Sequence, residues 1–179
     1  MNELYSQRRI REAVYRLAAD VRNDAKKTLH VHVIMDGAFM FAADFLRAYE
    51  GKISRTTFTQ ISRGYSSGRV HPPRFVHKFP NYFAKYNIDP GYTHLILDVC
   101  IEKGLTMSFM KRHLAQALSR YYGGNSTQVL SGVLVALGHV CPTNEIVDYV
   151  CFECTKQVFL TGYGMGPYRD FGAIYGIPR

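Results

Sequence analysis

The chain has 179 residues, 47% hydrophobic and 20% charged, with a formal net charge of +8. That length fits one domain, residues 1–179, able to bury its own core. No apolar run reaches the ~20 residues that span a bilayer, and four cysteines are too few for a disulfide framework, so membrane-spanning and disulfide-rich secreted classes are excluded.

Strands and helices alternate along the chain. The N-terminus lacks an apolar signal-peptide core, and Glu3, Glu12 and Asp20 among its arginines fit a mitochondrial transit peptide poorly. A reducing intracellular setting is expected, the cytoplasm by default and the mitochondrion as the alternative. Residues 7–23 place Ile10, Val14, Leu17 and Val21 on one helical face, with Arg8, Glu12 and Arg16 on the solvent side. LHVHVIMDG predicts a strand and turn, and AFMFAADFLRAYEG a helix stopped by Gly51. RTTFTQIS is a further strand, and RGYSSGRVHPPR an irregular loop. THLILDVCI is apolar enough to be covered on both faces. LTMSFMKRHLAQALSRYYGG predicts a helix with Met110, Leu114, Ala117, Leu118 and Tyr121 on one side. VLSGVLVALGHV, VDYVCFE and QVFLTGYGMG complete the strands. Helices between strands imply an α/β fold: a central, mostly parallel sheet of about five strands flanked by helices, with a small hood from the N-terminal segment and the last strand.

Positive charge is lopsided. Arg8, Arg9, Arg11, Arg16, Arg22, Lys26 and Lys27 crowd the first segment, and Lys52, Arg55, Arg63, Arg69, Arg74, Lys78 and Lys85 a second. After Gly123 only Lys156, Arg169 and Arg179 remain. Such a surface suits a polyanionic partner, or is simply solvated. Tyr65, Phe75, Phe79, Tyr82, Phe83 and Tyr86 lie among the second set, where exposed rings could stack on unpaired bases.

In an open α/β sheet, ligands bind beyond the C-terminal strand ends. Four loops should meet there: residues 36–37, 64–68, 98–106 and 162–169. In this order, VHVIMDGAFMFAADFLRAYE, HLILDVCIEKGLTMSFM, VDYVCFE and VFLTGYGMGPYRD resemble the hypoxanthine-guanine phosphoribosyltransferases, of the type I phosphoribosyltransferases, nearly end to end. The resemblance implies that fold, and an activity that moves ribose 5-phosphate from phosphoribosyl pyrophosphate, with magnesium, to a 6-oxopurine. It implies that Asp98 matches the first of two ribose-binding acids, Glu102 the general base, Gly104 and Thr106 the phosphate loop, Phe159 the ring that stacks on the purine, and Arg169 a pyrophosphate-side arginine. Elsewhere the sequence departs from the pattern. Val99 replaces the second acid, Asp36 the lysine of the first loop, and Gly166 a late acid of the magnesium site. Lys103 stands at a threonine position, and His139 is the nearest basic residue to the position of the purine-reading lysine. Thr106 serves either an anion or merely the helix cap, and Lys103 is expected to point to water. Phe159, on a strand, is expected in the core.

His139, Cys141, Cys151 and Cys154 are zinc-capable, but both pairs fall on predicted strands, where Cys151 and Cys154 would face opposite sides. Metal binding there is the lesser expectation, buried free thiols the greater.

The leading expectation is a catalytically degenerate phosphoribosyltransferase-like subunit of a larger, RNA-containing assembly such as an organellar ribosome, with Arg69, Arg74, Lys78 and Lys85 as its partner patch. It would use no cofactor. The alternatives are an active purine-salvage enzyme using magnesium, with Glu102 as base, and a regulatory module holding a nucleotide or phosphate at Asp98, Lys103, Gly104, Thr106, Phe159 and Arg169. The apolar stretch around Phe39, Met40, Phe41 and Phe45 suggests a dimer, with itself or with a related copy.

Overall fold

The computed structural model describes residues 2–25, 28–62, 65–66, 69–76, 91–122, 127–138, 146–166 and 170–178, and for 65–66, 69–70 and 121–122 the backbone alone. In chain order the elements are β1 (Asn2–Tyr5), α1 (Gln7–Asp24), β2 (Leu29–Met35), α2 (Phe39–Ala48), β3 (Ile53–Ser62), β4 (Tyr65–Ser66), β5 (Arg69–Val70), β6 (Arg74–Phe75), β7 (Thr93–Ile101), α3 (Leu105–Tyr122), β8 (Val129–Ala136), β9 (Tyr149–Glu153), β10 (Val158–Gly162) and β11 (Ile174–Pro178).

The main sheet runs β6-β3-β2-β7-β8-β9. Its five longer strands are parallel, and the two-residue β6 joins β3 antiparallel. β2 and β7 are its two middle strands. Both are buried over most of their length, as strands covered on both faces must be. Side chains alternate across this sheet and divide the core in two. On one face Val31, Val33, Leu95 and Leu97 pack with α1 and α2. On the other, Ile34, Ile96 and Val133 pack with Met107, Met110, Leu114 and Leu118 of α3. The spacing that predicts α1 is the spacing that buries it: Ile10, Val14, Leu17 and Val21 all face the core. On its outer side Arg8 and Glu12 are 3.9 Å apart and mostly exposed, a geometry worth at most about 0.5 kcal/mol.

A second sheet, β1-β11-β10, is antiparallel and joins the N-terminal segment to the last strand, forming the hood. Two sequence expectations need correction. The segment read as an irregular loop contains the β4–β5 ribbon and the first residue of β6, because two-residue strands leave no periodic trace. β8 ends at Ala136 rather than running on toward Val140. Among the described residues no helix is long and apolar enough to cross a membrane.

Candidate functional site

β7 delivers the main loop. Residues 102–104 bend, and α3 starts at Leu105. Asp98 is half-buried, and its carboxylate accepts the N–H of Val99 at 2.7 Å. Gly104 has φ +70 and is buried, and a β-carbon there would run into the Ile146 side chain. Glycine is therefore required twice over, by backbone and by space. Glu102 and Thr106 are half-buried beside this bend, while Lys103 is exposed, as expected. The first N–H groups of α3 lack intrahelical acceptors, so the bend keeps the backbone of an anion site.

Val99 points the other way. It is only 6% exposed and belongs to the core beneath α1 and α2. A β-carbon on Gly37 would lie 2.9 Å from Val99 Cγ1 and 3.6 Å from Met165 Cγ. Three of the four expected loops thus meet here through apolar contact. Residues 64 and 67–68 of the fourth, and Arg169 of the last, lie outside the described residues.

At the end of β2 the Met35–Asp36 peptide is cis. The Asp36 carboxylate accepts hydrogen bonds from Gln60 Nε2 at 3.1 and 3.3 Å. Nothing in the sequence marks Gln60 as its partner. It arises because β3 pairs in parallel with β2, with Met35 opposite Gln60. A carboxylate at this corner repels a pyrophosphate.

The turn after β10 is built on glycines. Gly162, Gly164 and Gly166 have φ of 85, 85 and 62, and Tyr163 shares the left-handed region at 48. The buried Tyr163 hydroxyl donates to Asp44 Oδ2 at 2.6 Å, tying the turn to α2, and burial with that bond pushes its pKa far up. Gly166 brings no side-chain oxygen where the resemblance implies a magnesium-site acid. Val99 likewise brings no oxygen where the resemblance implies the second acid, so Asp36, Asp98 and Glu102 are the carboxylates that the described residues of these loops offer to a cation.

Phe159 corrects the expectation of a core aromatic: it is 58% exposed on β10, a strand of the hood. Asp170, which the sequence did not single out, accepts bonds from the N–H of Gly172 and Ala173 and from the Tyr175 hydroxyl. Those bonds hold its carboxyl pKa down and order the approach to β11.

The expectation that Cys151 and Cys154 face opposite sides of a strand needs correction: β9 ends at Glu153, and both thiols pack against the core cluster on the α1–α2 side. Cys151 Sγ lies 3.8 Å from the Ala13 carbonyl under α1, and burial pushes its thiol up to about 12. Cys154 is buried just past β9, with Sγ 4.0 Å from the Lys156 carbonyl. Neither joins a cluster of three possible metal ligands among the described residues, and His139 and Cys141 lie outside them. Of the basic patch, Arg74 is exposed, whereas the side chains of Arg69, Lys78 and Lys85 are not among those described.

No protein-family model matches the chain, and no curated protein sequence is similar to it. Solved structures are similar in fold. A hypoxanthine-guanine phosphoribosyltransferase from Bacillus anthracis superposes with a TM-score of 0.74 at 22% identity, over 99% of this chain and 98% of that one. A hypoxanthine phosphoribosyltransferase from Staphylococcus aureus gives 0.72 at 16%, over 92% and 83%. The Trypanosoma cruzi enzyme in complex with the product IMP gives 0.67 at 22%, over 98% and 92%. The chain therefore has a hypoxanthine-guanine phosphoribosyltransferase-like, type I phosphoribosyltransferase fold.

Proposed function

We propose that this phosphoribosyltransferase-fold chain has left catalysis and serves as a binding subunit of a larger, RNA-containing assembly. One observation carries the first half of this reading. The position matched to the second ribose acid holds a valine packed into the core against Gly37, so the site is rebuilt as an apolar contact rather than trimmed by one hydrogen bond. A lost hydrogen bond to a charged acceptor costs roughly 1.5–3 kcal/mol, and here the loss coincides with a reversed charge at Asp36. These groups would act on one transition state, so their losses compound without being additive.

Charge supports the second half. Residues 52–85 contain seven lysines and arginines and no aspartate or glutamate. The α1 arginines are partly compensated instead, since Arg22 pairs with Glu50 at 2.6 Å and Arg8 with Glu12. The two basic segments do not share one surface throughout: α1 covers one sheet face, while Phe75, next to Arg74, packs on Phe109 and His113 of α3 across the sheet. We take the 52–85 segment as the partner-facing one because its cations have no acidic residue within the segment to offset them. A second copy, or a related one, would pair over α2, where Phe39 is 53% exposed while Phe41 and Phe45 are buried.

The test is a steady-state assay with phosphoribosyl pyrophosphate, magnesium and hypoxanthine or guanine. No transfer is expected. Turnover near ~1 s⁻¹, inside the ordinary enzyme range, would show that Asp98 and Glu102 suffice and would overturn the reading.

A second reading rests on Phe159. An exposed ring on the hood and the glycine bend at 102–104 are the parts of a nucleotide site that need no catalytic acid. Saturable binding of IMP without turnover, lost in Phe159→Ala, would favour it.

A further inference from the structure

We propose that His30, His32 and His94 form a binding site for one divalent transition-metal ion of imidazole preference, with zinc as the first candidate. The site lies apart from the loops just described. His30 and His32 belong to the first half of β2, and His94 is the second residue of β7, whereas those loops follow the last residues of both strands. Residues two apart on a strand share a face, and the parallel pairing of β2 with β7 sets His30 opposite His94 and His32 opposite Ile96. The three rings therefore share the α3 side of the sheet, and all three are 2% exposed or less.

One ligand nitrogen from each ring lies within 4.8 Å of the others. His32 Nε2 and His94 Nδ1 are 2.9 Å apart, and His30 Nε2 is 2.6 Å from Thr57 Oγ1. The remaining nitrogens expose the weakness of a purely structural role. His30 Nδ1 and His32 Nδ1 are buried with no hydrogen-bond partner among the described residues, and so is the Thr59 hydroxyl, two residues on from Thr57. Each such orphan costs about 1–3 kcal/mol, which an apolar side chain would avoid. The orphaned imidazole nitrogens call for an absent partner, and a metal ion is one that all three rings can share.

The rings are also in the protonation state that ligation needs. Burial, helped by His94 and Arg55, holds His30 down to about 3, and burial holds His94 down to about 4. Neutral imidazole is the ligand form, so protons do not compete near neutrality. Loading requires a rearrangement. Two ring pairs are stacked, at 18° and 19°, the third is tilted at 33°, and His32 and His94 are hydrogen-bonded to each other rather than aimed at a common point. Bonds of about 2.0–2.1 Å to a tetrahedral ion put ligand nitrogens roughly 3.3–3.4 Å apart, so the His32–His94 gap must open and the rings must turn. The Arg55 charge near His30 works against the ion.

The test strips the full chain with a chelator and titrates it with Zn²⁺ against a chromophoric competitor. We expect one equivalent per chain, retained in Cys151→Ala and Cys154→Ala and weakened at least tenfold in His32→Leu. Co²⁺, as an optical probe of the wild-type chain, should give a d–d spectrum without thiolate charge transfer, a readout that survives if the histidine variant does not fold. Uptake below stoichiometry, uptake unchanged in a folded His32→Leu, or a thiolate band with Co²⁺ would each overturn the site.

Discussion

Val99 fills the space beside Gly37 so closely that a β-carbon on the glycine would come within 2.9 Å of its Cγ1. The two residues stand where the resemblance places a ribose acid and the first phosphate loop, and they make the floor of the site a piece of core. Reintroducing the acid should therefore fail. Val99→Asp would bury a carboxylate among apolar neighbours, and breaking a buried site with an uncompensated charge costs about 3–5 kcal/mol. Urea denaturation should show a loss of that order, and no phosphoribosyl transfer should appear. A variant as stable as the parent would mean that the Val99 position opens to solvent.

Gly104 separates two effects that usually come together. Gly104→Ala should destabilise by about 1–2 kcal/mol from the left-handed backbone alone, and further from the clash with Ile146. Adding Ile146→Ala should remove the clash and leave the backbone penalty, so the two substitutions should be non-additive in a double-mutant cycle. Strict additivity would show that the bend does not lean on Ile146.

Acid should weaken the chelator-treated chain through its three buried histidines. Their folded-state pKa values are depressed from the ordinary 6.5, to about 3 for His30 and about 4 for His94, with His32 well below, chiefly by burial. The unfolded chain then binds more protons below pH ~6.5, so the stability these neutral rings contribute is whole above that value and is lost as pH falls toward their folded values. The slope is about 1.4 kcal/mol per pH unit for each ring that titrates only in the unfolded chain. Urea midpoints measured from about pH 7.5 down to about pH 5 should fall steeply. A flat profile over that window would mean that the rings are solvated.

Binding to a structured RNA should weaken steeply with salt, because neutralised phosphates release counterions. Neutralising Arg69, Arg74, Lys78 and Lys85 together should lower affinity and reduce the slope of log K against log salt by up to ~0.9 per lost phosphate contact. An unchanged slope would assign these cations to a protein partner or to solvent.

The sequence by itself determined the scaffold. The 3.6-residue spacing of Ile10, Val14, Leu17 and Val21 and the unbroken apolar run of 93–101 follow from backbone geometry, and any chain that buries them must place α1 and β7 as observed. It also marked the altered positions Asp36, Val99 and Gly166, since identity at a strand end or turn needs no coordinates to be read. What the replacements do was decided only by tertiary structure. Whether Val99 faces ligand or core depends on which sheet face α1 and α2 cover, and whether Phe159 is buried depends on where the hood ends. Gln60 meets Asp36, and His94 meets His30 and His32, through the register of separate strands. Local periodicity fixes how a strand presents its side chains. The partner across the ladder is a residue 24 to 62 positions away in sequence, chosen by the packing of the whole sheet.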